Sequence, residues 1–146
     1  MNKSQLKNRI IIGSANFTQN YGADSTKINS HEIKKILNLA KKNNIYKIDT
    51  AETYLKDKKI FKNINKKFKF SSKIIPNHKW TSLDFCQNNL EDHFKNLNTK
   101  KIDTLILHNT KILFTKNGIK IFKNLEDLKK KIILKKLDYL FMIQIA

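Results

Sequence analysis

A chain of 146 residues is long enough to bury one core, and its single cysteine, Cys86, excludes a disulfide scaffold. Hydrophobic residues make up 40% and aromatics 10%, which excludes a wholly disordered chain. The net charge of +18 would favour nucleic acid or an anionic membrane, yet 29 of the 30 basic residues are Lys and only Arg9 is Arg. Lys, Asn and Ile together make 68 of the residues, and their codons are AT-rich. The charge therefore reads first as the Lys coat of a globular protein from an AT-rich genome. A nucleic-acid groove would show Arg and interleaved exposed aromatics, and pairs such as Lys34-Lys35 and Lys66-Lys67 look like solvated helix faces.

The apolar run Arg9 to Gly13 predicts a buried first strand. Ser30 is placed as the cap of a helix whose Ile33, Ile36, Leu37 and Ala40 share one face, ended by Asn43-Asn44. Ile45 to Asp49 follows as a second strand, and Asp57 to Asn65 as a short Lys-rich helix with Ile60, Phe61 and Ile64 inward. Phe68 to Ile75 is a third strand closed by Pro76. Ser82 caps a helix with Leu83, Cys86, Leu90, Phe94 and Leu97 on one stripe. Ile102 to His108 is a fourth strand, and Gly118 to Lys131 a helix with Ile121, Phe122, Leu125 and Leu128 on one face. The order βαβαβαβα predicts an α/β fold of parallel strands with right-handed crossovers, in a single unit over residues 1–146.

In parallel α/β folds chemistry gathers at the carboxyl ends of the strands. Asp49 ends the second predicted strand, Tyr54 lies in the loop after it, Lys73 is near the end of the third and His108 ends the fourth. Each alone has an ordinary explanation as a helix cap, a loop aromatic, a surface Lys or a core His. Four titratable groups on one rim favour function. No metal is expected, because Asp49, His108, His31, His78 and His93 show no metalloenzyme ligand spacing.

The same residues carry a resemblance to the aldo-keto reductases. Ile48-Asp49-Thr50-Ala51-Glu52-Thr53-Tyr54 resembles that family's Asp-Thr-Ala signature followed by Tyr. Ile12-Gly13-Ser14-Ala15-Asn16-Phe17, with Tyr21-Gly22, is similar to its first strand and loop, and Ser71-Ser72-Lys73-Ile74 to its third strand. Leu83 to Leu97 and then Ile102 to His108 match its helix and His-ended strand. Where the family commonly has Gly after the Tyr and Glu a few residues later, this chain has Leu55 and Lys56-Asp57-Lys58-Lys59. The Asn16 to Gly22 stretch looks more like bacterial members than vertebrate ones.

The resemblance implies a (β/α)8 barrel that reduces a small carbonyl substrate with hydride from NADPH. It implies Tyr54 as general acid, Lys73 as the cation that lowers the phenol's pKa, Asp49 as the anchor of Lys73 and His108 as the orienter of the carbonyl. Gly13, Ser14 and Asp49 are the cofactor-binding positions it implies here.

Such a barrel takes about 250 residues. This chain carries about the first four βα units, and the resemblance assigns most of the cofactor site to strands five to eight. An N-terminal half, inactive alone, is expected. It would leave two strand edges and an apolar inner face open to self-association. Residues 137–146 offer a reason. Back-translated with AT-rich codons and read from the third base of the Lys136 codon, they give Ile-Gly-Leu-Ser-Ile-Tyr-Asp-Pro-Asn, which resembles the family's fifth strand. A frameshift near Lys131 to Lys136, or a sequencing error, is the expected origin of this out-of-frame tail. Met1 to Arg9 is polar and too little apolar sequence follows for a signal peptide, so the cytoplasm is the expected location and no membrane partner is expected. The alternatives to a reductase are a half-barrel interaction protein and, less favoured, a basic nucleic-acid-binding module.

Overall fold

The computed structural model describes residues 10–23, 26–55, 58–62, 64 and 67–131. The out-of-frame reading of residues 137–146 falls outside them. Four strands form one parallel sheet in the order β1-β2-β3-β4: β1 Ile12–Gly13, β2 Lys47–Ala51, β3 Lys69–Ile74 and β4 Thr104–Leu107. Between them run α1 (Ala15–Thr18), α2 (Ser30–Lys42), α3 (Lys58–Lys62) and α4 (Leu83–Asn96), and α5 (Gly118–Lys131) follows β4. Single 3-10 turns occupy Glu52–Tyr54, His78–Thr81 and Thr110–Phe114. This is the expected alternation, and the sheet supplies four of a barrel's eight strands.

The sheet's two faces differ because side chains alternate along a strand. Ile48, Thr50, Phe70, Ser72, Ile74, Leu105 and Leu107 are buried on the face toward the helices. There they join Ala40, Phe61, Cys86, Leu90, Phe94, Leu97, Ile121, Leu125 and Leu128 in one core, together with Trp80. The other face, a barrel's interior, carries Asp49, Ala51, Ser71, Lys73, Thr104 and Ile106. The expectation of an apolar inner face is therefore corrected. Apart from Ile106, the strands' large apolar residues have the helix-facing parity, which leaves mainly small and polar groups inside.

Several boundaries move, each for a local reason. Ile10 and Ile11 are 44% and 48% exposed, so the first strand is neither as long nor as buried as the run of Ile suggests. Among the described residues it is an edge strand, paired through Ile12 and Gly13 to Ile48 and Asp49. The cap of α2 is Asn29 rather than Ser30: the Asn29 carboxamide oxygen accepts from the Glu32 amide at 3.0 Å. Ser82 does cap α4, accepting from the Phe85 amide at 3.3 Å. Phe61 and Ile64 are buried as expected, while Phe122, expected inward, is 36% exposed.

The second strand starts two residues later than expected because α2 claims Asn43 to Ile45 for its end. Asn44 has φ +58°, its amide donates to the Lys41 carbonyl, and the Ile45 amide donates to the Ala40 carbonyl at 2.9 Å. That is a Schellman motif with Asn at the left-handed position. Asn98, φ +51°, ends α4 in the same way, with the Thr99 amide donating to Phe94. With only three Gly in the chain, Asn fills a position that usually takes Gly. Asn44→Ala is expected to cost about 1 kcal/mol and Asn44→Gly to raise stability slightly, because a β-carbon at positive φ clashes with the following carbonyl. Urea midpoints of the two variants check the sign of each change.

Candidate active site

Ending β2 at Ala51 places Asp49 in mid-strand rather than at the strand's end. Its register partner is Ser71, and that of Ala51 is Lys73, so Asp49 and Lys73 share the inner face on adjacent strands. Lys73 Nζ donates to Asp49 Oδ2 at 2.5 Å, with the Lys side chain 14% exposed and the Asp side chain 35%. A partly buried pair of this kind fixes the ammonium in one place, because both charges lose water and the bond is charge-assisted.

Tyr54 sits at the end of the 3-10 turn that begins where β2 stops. The turn is tied across the sheet: Glu52 Oε2 accepts from the Ile75 amide at 3.2 Å, just past the end of β3. Glu52 thereby holds the turn bearing Tyr54 against the strand bearing Lys73. The sequence reading gave Glu52 no role, although it lies inside the Asp49 to Tyr54 signature.

The Tyr54 phenol is raised above its ordinary 10.0, first by burial. The Lys73 ammonium pulls it down, but Tyr21 and the Asp49 carboxylate add to the upward push. The lowering that the resemblance implies is present as one contribution and is outweighed in the sum. His108 follows β4 on the inner-face parity, is exposed, and is joined to the sheet by its amide, which donates to the Ile74 carbonyl at 2.8 Å. Among the described residues no bond joins its ring to the other three. The structure thus brings Asp49, Lys73 and Tyr54 together and sets His108 on the same rim. Together they provide a phenol, a fixed cation that acts on it electrostatically and an exposed imidazole.

Gly13 and Asp49, two of the cofactor positions that the resemblance implies, are register partners on β1 and β2. A β-carbon built on Gly13 would meet nothing within 4 Å, and Asp49 lies on the open face. Ser14 is wholly buried; its amide donates to the Asp49 carbonyl, and its hydroxyl, like those of Thr18 and Thr50, finds no partner among the described residues. A groove of 740 Å³ lies away from this rim. It is lined by Ile33, Lys34, Leu37, Ile60, Ile64 and Phe68 among others, and by none of the four candidate residues. It runs past the short helix α3 on the outer layer, so the inner face is the better candidate for chemistry. Among the described residues no three His, Cys, Asp or Glu come together as a metal site, and no helix is long and apolar enough to cross a membrane.

Four parallel βα units with polar groups gathered on the inner face make this an α/β protein of the (β/α)8 barrel type, represented by its first four units. The model of the aldo/keto reductase family matches residues 9–135, and the chain belongs to that family. No curated protein sequence matches it. Among solved structures it is similar to one assigned as an aldo-keto reductase from Pseudomonas aeruginosa, with a TM-score of 0.61 at 20% identity, over 84% of this chain and 50% of that one. The thermostable aldo-keto reductase Tm1743, solved with the inhibitor epalrestat, gives 0.59 at 20% identity, over 88% and 48%. The aldose reductase of Schistosoma japonicum gives 0.53 at 15% identity, over 88% and 48%. The chain spans about half the length of these structures.

Proposed function

We propose that this chain is the proton-transfer half of an NADPH-dependent aldo-keto reductase acting on small carbonyl compounds. The observation that carries the reading is the Lys73–Asp49 pair on the inner face, with Tyr54 close enough for both charges to act on its phenol. Tyr54 donates its O–H proton to the carbonyl oxygen as negative charge develops there, and is left as phenolate. Lys73 offsets that phenolate charge, and Asp49 keeps Lys73 from swinging away. His108 directs the carbonyl from the rim. The nicotinamide cofactor, when bound, supplies the hydride; Gly13 and Asp49 are the residues here that would lie against it.

Turnover by these four units alone is not expected, since the resemblance assigns the phosphate-holding groups to strands five to eight. The test continues this chain with strands five to eight of Tm1743 and follows NADPH oxidation with small aldehydes. Tyr54→Phe is expected to lower the rate at least about 100-fold, the usual scale for losing a general acid. A folded chimaera that is as fast after Tyr54→Phe overturns the reading.

A second reading, an interaction role for the half barrel, draws on the exposed apolar residues beside its edges. Ile10 and Ile11 precede β1, and Phe114 and Ile119 follow β4 at 88% and 72% exposure. Sedimentation over a hundredfold range of concentration reads it directly, and a constant monomer mass counts against it.

A further inference from the structure

Tyr21 lies outside the four expected site residues, yet it is the aromatic that meets Tyr54. The two ring centroids are 6.2 Å apart with the planes tilted by 58°. Tyr21 itself is 53% exposed, whereas Tyr54 is partly buried. An exposed Tyr on a loop has no packing of its own to hold it, so what holds it is informative.

The loop is clamped at its base by one side chain. Asn16 Nδ2 donates to the Tyr21 carbonyl at 2.7 Å and to the Thr26 carbonyl at 2.8 Å, and the Asn16 carbonyl accepts from the Ile28 amide at 2.9 Å. Tyr21 and Thr26 also pair as an isolated antiparallel bridge. Directly after Tyr21 the chain turns at Gly22 with φ +85°, a conformation that an L side chain resists. Three backbone attachments and a glycine turn are thus spent on presenting one phenol to another.

We propose that Tyr21 is a positioning residue for Tyr54, its hydroxyl taking the Tyr54 hydrogen bond and so holding the proton donor's O–H until a carbonyl oxygen replaces it. The proposal rests on the reading of Tyr54 as proton donor. A hydrogen bond accepted by Tyr21 favours the protonated phenol, in line with the upward push that Tyr21 exerts on Tyr54. The groups facing Tyr54 are then Tyr21 on the loop after α1, Lys73 on β3 and Asp49 on β2. Lys73 draws the phenol toward phenolate while Tyr21 and Asp49 oppose it.

The test titrates the tyrosine Cζ resonances of the ¹³C-labelled chain, with the Tyr54 signal assigned by its loss in Tyr54→Phe. This measurement needs neither cofactor nor turnover, so it can fail separately from the reductase reading. In Tyr21→Phe the ring contact stays and only the hydroxyl goes; Tyr54 is expected to titrate at lower pH than in the parent. In Lys73→Met it is expected to titrate at higher pH. An unchanged Tyr54 titration in Tyr21→Phe, with Lys73→Met still moving it, overturns the role of Tyr21 and leaves the reductase reading standing. If neither variant moves it, Tyr54 is not coupled to this cluster and both readings fall. A purely structural Tyr21 would behave as the first of these failures, because Tyr21→Phe preserves its packing.

Discussion

Gly118→Ala is expected to destabilise the chain by about 3 kcal/mol, at the upper end of the cost of overpacking a tight contact. Helix propensity alone gives the opposite sign. Gly118 is the first residue of α5, and Ala is better than Gly inside a helix by up to about 1 kcal/mol. Sterics decide against propensity here. A β-carbon on Gly118 would stand 1.9 Å from the Leu113 carbonyl oxygen and 2.3 Å from its carbon. Both atoms are backbone, in a 3-10 turn closed by the Thr115 amide and hydroxyl donating to the Ile112 carbonyl at 3.3 and 2.7 Å. Neither can rotate out of the way as a side-chain tip would. Relief requires α5 to lift from the turn, and α5 carries the core residues Ile121, Leu125 and Leu128. Gly13→Ala is the control. Its β-carbon would meet nothing within 4 Å, so a change of less than about 0.5 kcal/mol is expected. Urea unfolding followed by circular dichroism measures both, and a Gly118→Ala variant as stable as the parent would refute the steric argument.

That contact also marks a limit of reading the sequence. Gly118 was legible as the start of a helix, but its closeness to Leu113 was not, because the contact depends on the angle at which two short elements meet. The strand and helix order was legible because apolar period and length are local signals. The Asp49–Lys73 pairing became legible once the family resemblance fixed which strands are neighbours. What escaped involves residues whose role is set by tertiary geometry. Asn44 and Asn98 end helices in place of Gly, so the usual stop signal was missing, and the second strand was drawn two residues early. Asn29 outcompetes Ser30 as a cap, and either residue type suits that position. Glu52 and Asn16 act through bonds to backbone groups 23 and 10 residues away, and no spacing rule points to such bonds. The net rise of the Tyr54 phenol comes first from burial, with Tyr21 and Asp49 adding to it, and of these only Asp49 is among the four residues the sequence singles out.

His93, whose spacing in the sequence fits no metal site, is a core residue with a measurable pH signature. It lies on α4 at 4% exposure, its Nε2 2.8 Å from the Ser72 hydroxyl on the helix-facing side of β3. Burial lowers its pKa from the ordinary 6.5 to about 4, since the charged ring would have to leave water. The folded chain therefore holds a neutral imidazole where the unfolded chain takes up a proton. Below pH 6.5 the unfolded state binds more protons, so stability is full above that value and falls as the pH drops toward 4. At about 1.4 kcal/mol per pH unit the loss accumulates to about 3 kcal/mol by pH 4, a large part of the stability of a domain this size. Urea midpoints of the parent should fall steadily between pH 7 and 4. In His93→Gln, which can still hydrogen-bond Ser72 but cannot charge, the fall should be smaller by about that amount. Carboxylates protonating in the same range contribute equally to both chains and cancel in the comparison. Parallel pH profiles for parent and variant would mean that the folded chain admits a charged His93, and that the contact between α4 and β3 is looser than the 2.8 Å hydrogen bond implies.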